Sequence, residues 1–172
     1  MACFGERIMN NFPEWLPPIV SVNGIWEEIL SRLYGIFDKD FKQGKPRFGE
    51  MPVWWETRIL IGEKYEEGFW HLISRDDEKT KERLFDPRRA ERLPWCAPTI
   101  KNKDDQVVKV WDYREGKGRI RTYLWLESFD YVVILEKKKQ RIGMVAFLIT
   151  AFYVDGESRK RSLTSKYSKR IS

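Results

Sequence analysis

Cysteine and histidine are scarce in this 172-residue sequence, which contains only Cys3, Cys96 and His71. Two distant cysteines do not form the dense pattern of a disulfide-stabilised secreted domain, so we expect a reducing compartment and a cytoplasmic protein. One imidazole and two separated thiols are too few for the usual transition-metal sites. The sequence therefore predicts neither a metal site nor a cofactor.

Long hydrophobic runs and hydrolase motifs are also missing. No stretch approaches the roughly 18 apolar residues of a membrane span. The longest apolar run, from Met144 to Thr150 and beyond, predicts a buried strand. The chain has no recognisable motif around a nucleophilic serine or cysteine and no glycine-rich phosphate loop. We therefore expect no membrane partner and exclude these enzyme classes.

The composition is that of a folded domain with a basic end. Hydrophobic residues make up 42% of the chain and aromatic residues 15%, which is ample material for a core. We divide the chain into an N-terminal arm and amphipathic helix (1–45) and one compact α+β unit (46–172). Of the net charge of +6, most lies in residues 156–172, where six basic residues face one acidic residue. This segment favours a polyanionic partner, or is simply a solvated terminal helix.

The N-terminal half mixes helical and strand-like patterns. Residues 1–22 are rich in proline and predict an extended arm. Asn23 is a candidate cap for a helix that runs from about Gly24 to Gly44, with one apolar stripe. Val53–Ile61 and Phe69–Ser74 are predicted strands.

A shorter helix is predicted downstream of these strands. Asp86 and Pro87 have the form of an N-cap followed by a first-turn proline. A helix over Arg88–Leu93 would follow and would end at Pro94. Arg88 and Arg92 are four residues apart, so they share one face of that helix.

The C-terminal half predicts an antiparallel meander of four strands. These strands are Val107–Tyr113, Arg119–Glu127, Tyr131–Glu136 and Ile142–Val154. The short turns between them require antiparallel neighbours. A basic helix from about Ser158 follows. The predicted fold class is α+β, with N-terminal helices packed on a four- to six-stranded antiparallel sheet and a basic C-terminal helix.

One face of this meander alternates cations with aromatic rings. Strand alternation puts Arg119, Arg121, Tyr123, Trp125 and Glu127 on one side of their strand, and Lys109, Trp111 and Tyr113 on one side of the strand before it. Cations neutralise phosphates and rings stack on unpaired bases, as a groove for single-stranded RNA requires. The alternative is cross-strand cation–π pairing on a half-exposed sheet.

His71 is the candidate for acid–base chemistry. RNA supplies its own nucleophile, the 2′-hydroxyl, so a base or acid plus cations that stabilise the pentacovalent phosphate suffice for cleavage without a metal. His71 with Arg88, Arg92 and Arg121 would meet that requirement if the fold brings them together. The alternative is a partly buried histidine beside Trp70.

A series of short motifs resembles a family of small prophage-associated, toxin-like proteins. In order they are Phe69-Trp70-His71-Leu72-Ile73-Ser74, Asp86-Pro87-Arg88-Arg89-Ala90-Glu91-Arg92, Pro94-Trp95, Pro98-Thr99-Ile100, Val110-Trp111, Leu124-Trp125-Leu126-Glu127, Tyr131–Leu135, Ile149-Thr150-Ala151-Phe152 and Lys166-Tyr167. The series spans about Pro46 to Tyr167. These proteins in turn resemble the barnase–EndoU–colicin–RelE group of ribonucleases.

The resemblance implies roles for particular residues. His71 would be the acid–base residue, Thr150 would lie near the scissile phosphate, and Arg92 would assist catalysis. Arg88 and Arg121 would bind phosphate, and Lys166 and Tyr167 would contact the substrate. The alternating strand faces, not the resemblance, add Lys109 and Trp125 to the substrate-binding residues. The partner of His71 is left open among Glu91, Glu127 and Tyr131. From the strand pattern alone, Thr150 is an ordinary β-branched residue on the same face as Leu148 and Phe152.

Three functions follow from these patterns. The first is a metal-independent, toxin-type ribonuclease that acts on RNA and has an antitoxin or immunity protein as a partner. The second is a non-catalytic nucleic-acid-binding phage accessory or anti-defence protein, whose binding would weaken on Arg121→Ala or on loss of residues 156–172. The third is a protein-interaction module that docks through an exposed tryptophan-rich face.

Overall fold

A mixed six-stranded sheet forms the centre of the protein. The computed structural model describes residues 12–171. The strands of the sheet lie in the order β1-β2-β8-β7-β6-β5. Their bounds are β1 (Arg47–Phe48), β2 (Met51–Trp54), β5 (Lys109–Arg114), β6 (Ile120–Leu126), β7 (Tyr131–Gln140) and β8 (Gly143–Tyr153), and a separate pair is formed by β3 (Ser74–Asp76) and β4 (Arg83–Phe85).

The C-terminal meander is confirmed by the structure. Strands β5, β6, β7 and β8 pair antiparallel with their sequence neighbours, and the registers include Trp111↔Tyr123 and Val132↔Phe152. The short turns leave no room for any other arrangement.

The sequence predicted a purely antiparallel sheet, but the sheet in the structure is mixed. Strand β2 pairs parallel with β8, with Val53 opposite Ala146. A parallel pair needs a long crossover between its strands. Three helices, the β3–β4 pair and most of the meander lie between β2 and β8, which provides that length.

The fold class α+β is confirmed, but the helices are not gathered at the N-terminal end. Helix α1 precedes the sheet, three helices lie between β2 and β5, and α5 follows β8. Their bounds are α1 (Trp26–Phe37), α2 (Glu67–Ile73), α3 (Pro87–Glu91), α4 (Leu93–Lys101) and α5 (Gly156–Ser168). The described residues contain no helix long and apolar enough to cross a membrane.

The predicted strand Phe69–Ser74 is wrong, because this segment forms α2. Its apolar residues are buried all round, including Phe69, Leu72 and Ile73. A short apolar run of this kind fits a buried helix as well as a buried strand. The predicted strand Val53–Ile61 is also too long, since β2 ends at Trp54.

The other helices agree with their predictions in part. Helix α1 begins later than predicted, with Ile25 rather than Asn23 at its N-cap, and a π-helical turn over Asp38–Gln43 extends it to Gly44. The Asp86 side chain accepts a hydrogen bond from the Arg89 backbone N–H, which confirms the predicted cap. Pro94 does not end helical structure there. It lies in the first turn of α4, where its missing N–H costs no hydrogen bond.

The main core lies on one side of the sheet. Leu33 and Phe37 of α1, together with Phe69 of α2, belong to the same buried cluster as Leu124 and Val133 of the sheet. The arm packs here too, because the Trp95 indole donates a hydrogen bond to the Pro17 carbonyl at 2.7 Å. Residues 12–22 form no helix or strand, as predicted for the arm, but a turn closed by the Leu16 N–H and the Pro13 carbonyl interrupts the extended chain. The rest of that predicted segment falls outside the described residues.

The opposite side of the sheet carries a second, aromatic core under α5. Trp111, Tyr123 and Trp125 are each at most 2% exposed, and they pack with Leu163 of α5. The predicted alternation along β6 is therefore right, but the predicted exposure is wrong. A basic helix with a single buried leucine covers the rings. Trp111 and Trp125 are therefore not available to a tryptophan-rich docking face.

Candidate functional site

His71 lines a cavity of about 310 Å³ beside β8, on the side of the sheet that carries α5. Strand β2 ends early along β8, and α2 lies in the space beyond it, so the last turn of α2 reaches the middle of β8. The cavity is lined by His71, Ser74, Arg75, Asp76, Arg83, Arg89, Ile149, Thr150 and Phe152. Three guanidinium groups and the only imidazole of the chain thus share one hollow with a single carboxylate.

Glu67 is the acidic neighbour of His71. It lies four residues earlier on α2, and its Oε2 is 3.6 Å from the His71 Nε2. The Glu67 side chain is 7% exposed, and Oε2 also accepts a hydrogen bond from the Arg83 guanidinium. Its other oxygen, Oε1, is buried without a hydrogen-bond partner among residues 12–171. A buried carboxylate thus joins the imidazole to an arginine of β4.

The His71 side chain is half-exposed, and its pKa is lowered. Its imidazole retains 44% of its surface. Burial of the rest lowers the pKa below the ordinary 6.5, an effect larger than the opposite pull of the Glu67 carboxylate. At neutral pH the imidazole is therefore mostly unprotonated, which is the form that accepts a proton.

A β-bulge turns Thr150 towards this cavity. The register of β7 and β8 shifts between Ile134, which faces Thr150, and Leu135, which faces Leu148, so Ile149 is an extra residue. Leu148 therefore belongs to the main core, whereas Thr150 and Phe152 lie on the other side of the sheet. The prediction that Thr150 and Leu148 share a face is wrong because one inserted residue reverses the alternation.

Arg89 holds Thr150 and α2 together. Its Nη1 donates hydrogen bonds to the carbonyls of His71 (3.1 Å) and Ser74 (2.6 Å) and to the Thr150 hydroxyl (3.3 Å). The Thr150 hydroxyl in turn donates to the His71 carbonyl at 3.0 Å. The proton of the Thr150 hydroxyl is thus bonded to a backbone carbonyl. These contacts hold α2 in position, and the hydroxyl is not free to act as an acid.

Arg88 and Arg92 share a face of α3, as predicted, but that face does not line the His71 cavity. Their guanidinium groups lie 4.9 Å and 4.4 Å from the Tyr153 ring centroid. Arg92 also packs over Trp95 and is only 16% exposed. The arginine of α3 that lines the His71 cavity is therefore Arg89 and not Arg92.

The remaining predicted substrate residues form a different cluster around α5. Arg121 lines a separate cavity of about 360 Å³ with Glu115, Gly116, Lys117 and Arg119. Lys166 donates a hydrogen bond to the Tyr123 hydroxyl at 3.0 Å, and Tyr167 packs edge-on against Trp111. Lys109 is ion-paired with Glu127. Trp125 is buried, so it has no ring face open to a base. None of these five predicted residues lines the His71 cavity.

Four residues at this site were not among those predicted from the sequence: Glu67, Arg75, Arg83 and Arg89. Glu67 and His71 are four residues apart, which on a helix places them on one face. Because Phe69–Ser74 was predicted to be a strand, this pairing could not be recognised from the sequence. The three open candidates for the partner of His71 are engaged elsewhere. Glu91 is 3.7 Å from Arg92, Glu127 pairs with Lys109, and Tyr131 is buried, with its pKa raised by that burial.

Comparison with known proteins gives no match to any protein-family model, curated protein or solved structure. The resemblance to toxin-like ribonucleases therefore stays a prediction. Within residues 12–171 there is also no group of three or more His, Cys, Asp or Glu side chains arranged to hold a metal ion.

Proposed function

We propose that this protein is a ribonuclease that cleaves single-stranded RNA by acid–base catalysis, with the 2′-hydroxyl of the RNA as nucleophile. The observation that carries the proposal is the shared cavity of the half-exposed His71 with Arg75, Arg83 and Arg89. A general base and a group of cations are the two components that this reaction requires.

His71 acts as the base in this proposal. Its lowered pKa keeps the imidazole unprotonated at neutral pH, ready to take the proton of the 2′-hydroxyl. The O2′–P bond then forms and the P–O5′ bond breaks. The leaving 5′-oxygen takes a proton from the imidazolium or from water. The products are a 2′,3′-cyclic phosphate and a free 5′-hydroxyl.

Arg75 and Arg83 supply the positive charge towards the phosphate. The Arg75 side chain is 49% exposed, and its only ion-pair contact among residues 12–171 is with Asp86 at 3.9 Å, so its guanidinium is available to an anion. Arg83 is 28% exposed and gives one nitrogen to Glu67, which leaves further N–H donors. Guanidinium groups bind phosphate oxygens in a bidentate manner, and their charge stabilises the pentacovalent transition state.

The toxin-like role and the antitoxin or immunity partner rest on the resemblance of the motif series to toxin-like proteins. Growth arrest of cells that express the protein, relieved by His71→Ala, would support that role. Growth unaffected by expression would count against it.

The test of the enzymatic proposal is cleavage of RNA by purified protein in EDTA. We expect oligoribonucleotides to be cut with 2′,3′-cyclic phosphate ends, and His71→Ala to reduce the rate by at least about a hundredfold, the usual contribution of a positioned base. Arg121→Gln, purified in the same way, is the matched control and should keep its activity because Arg121 lies outside the cavity. Cleavage that survives His71→Ala contradicts the mechanism.

A second candidate function is nucleic-acid binding without cleavage. The observation that favours it is that the Thr150 hydroxyl and the Arg89 Nη1 already bond to backbone carbonyls. Because these two groups have structural roles, no catalytic role is needed to explain them. The remaining guanidinium groups of the cavity are sufficient for a surface that only binds RNA. Salt-dependent binding of RNA with no cleavage under any condition would identify this function.

A further inference from the structure

We propose that a second cavity next to the His71 cavity binds the neighbouring phosphate of the same RNA strand. This cavity has a volume of about 500 Å³ and is lined by Arg75, Phe85, Asp86, Pro87, Arg88, Tyr153, Asp155 and Arg159. Arg75 lines both cavities, so the two are neighbours. The proposal rests on the proposed function, because it assigns the adjoining part of the same substrate.

The charges in the second cavity are not balanced from within. Its three arginines face two carboxylates. Asp86 is already shared by the Arg89 backbone N–H at 3.1 Å and by the side chains of Arg89 and Arg75 at 3.8 and 3.9 Å. In the part of the chain that the structure describes, neither Arg88 nor Arg159 has a carboxylate within ion-pair distance. Two guanidinium groups are therefore available to an anion.

Arg88 is held in place before any ligand arrives. Its guanidinium lies 4.9 Å from the Tyr153 ring centroid, and Arg92 lies 4.4 Å from the centroid of the same ring. A cation–π contact of this kind restricts the rotamers of a long side chain, so less entropy is lost when the group binds a phosphate.

Arg159 comes from the other side of the cavity, in the first turn of α5. Helix α5 begins at Gly156, and its N-cap Asp155 makes no side-chain cap hydrogen bond. Two carboxylates, Asp155 and Glu157, lie at this end of the helix and offset its dipole, so the positive charge on this side of the cavity is that of the Arg159 guanidinium. Two independent elements, α3 and α5, thus present cations across one hollow, and β3 contributes Arg75 between the two cavities.

The substrate that fits this arrangement is a single-stranded oligonucleotide with at least two consecutive phosphates. One phosphate lies beside His71, and the next lies among Arg75, Arg88 and Arg159. A dinucleoside monophosphate, which has one phosphate, occupies only the first cavity. The structure thus assigns to the second cavity a preference for longer strands.

Binding of 2′-O-methyl oligoribonucleotides tests this assignment, because these ligands lack the nucleophile and cannot be cut. The variant Arg88→Gln/Arg159→Gln removes both free cations. The matched control is Arg58→Gln/Arg141→Gln, in which both changed residues are exposed and lie outside the two cavities. Fluorescence anisotropy with a trinucleotide that has two phosphates should show binding at least about tenfold weaker for the first variant. The slope of log K against log[salt] should become shallower by about 0.7, because both arginines contact the same phosphate and one neutralised phosphate of a single strand contributes about that much.

Three results would contradict the proposal that the second cavity binds a phosphate. The first is equal weakening by the test and control variants. The second is equal loss for the dinucleoside monophosphate and the trinucleotide. The third is no change at all in a variant that melts as the parent protein does. These outcomes are separate from the failure of the proposed function, because loss of binding with Arg88→Gln/Arg159→Gln would support the cavity even if no RNA is ever cleaved.

Discussion

Replacing Arg89 by methionine should destabilise the protein strongly. The Arg89 side chain is 11% exposed, and its guanidinium donates to two backbone carbonyls, those of His71 and Ser74. A hydrogen bond from a charged donor contributes roughly 1.5–3 kcal/mol. Loss of both, with two carbonyls left without their donor, should therefore lower the free energy of unfolding by about 3–6 kcal/mol.

This loss is large enough to measure as a melting temperature. The unfolding entropy near the midpoint is about 2.1 cal/mol/K per residue, or about 0.36 kcal/mol/K for a chain of 172 residues. The midpoint of Arg89→Met should thus fall by about 8–17 °C in a thermal melt followed by circular dichroism.

Arg88→Met is the matched control, since it removes the same charge from the preceding residue. Arg88 is exposed, and its guanidinium packs over the Tyr153 ring. A cation–π contact at such a place contributes roughly 0.5–1 kcal/mol, so the midpoint should fall by about 1–3 °C. Equal shifts for the two variants would refute the structural role of Arg89 and return it to the set of freely available cations.

The remaining predictions concern His71 and Arg121. The single histidine gives one imidazole C2–H signal, whose NMR titration should show a pKa below 6.5 because burial disfavours the charged form. If His71 is the base, the acid limb of the rate profile should have its midpoint at that same pKa; a midpoint above 6.5 would contradict this. Glu67→Gln should lower the His71 pKa further, since the carboxylate stabilises the imidazolium, and an unchanged titration would remove Glu67 as its partner. Arg121→Gln should leave the rate of RNA cleavage within about twofold, since a surface charge outside the cavity acts only through screened, long-range attraction; a larger loss would place RNA in the other cavity.

Much of the meander could be predicted from the sequence, because its strand pairing is determined by residues close together in the chain. Alternating residues and short turns determine the neighbours of each strand in β5 to β8, and the Asp86-Pro87 pair determines the start of α3. The parallel pairing of β2 with β8 depends instead on contacts between distant segments. No local pattern near Val53 indicates it.

The candidate site could be predicted only in part, for three physical reasons. Phe69–Ile73 is apolar on nearly every side, so its helical period is not visible in the sequence, and the His71–Glu67 pairing is hidden with it. One bulged residue, Ile149, reverses the side on which Thr150 lies. Burial of Trp125 depends on where α5 packs, and a mostly polar helix gives little sign that it covers an aromatic surface.

Helix α5 combines two properties that are usually separate. It carries much of the positive charge, and through Leu163 it also closes the aromatic core over Trp111 and Trp125. Deleting residues 156–172 would therefore expose the indole rings to solvent and favour aggregation. A loss of RNA affinity in such a variant would then not measure the contribution of charge. Charge has to be varied here by point substitution on the outward side of the helix, with its length left intact.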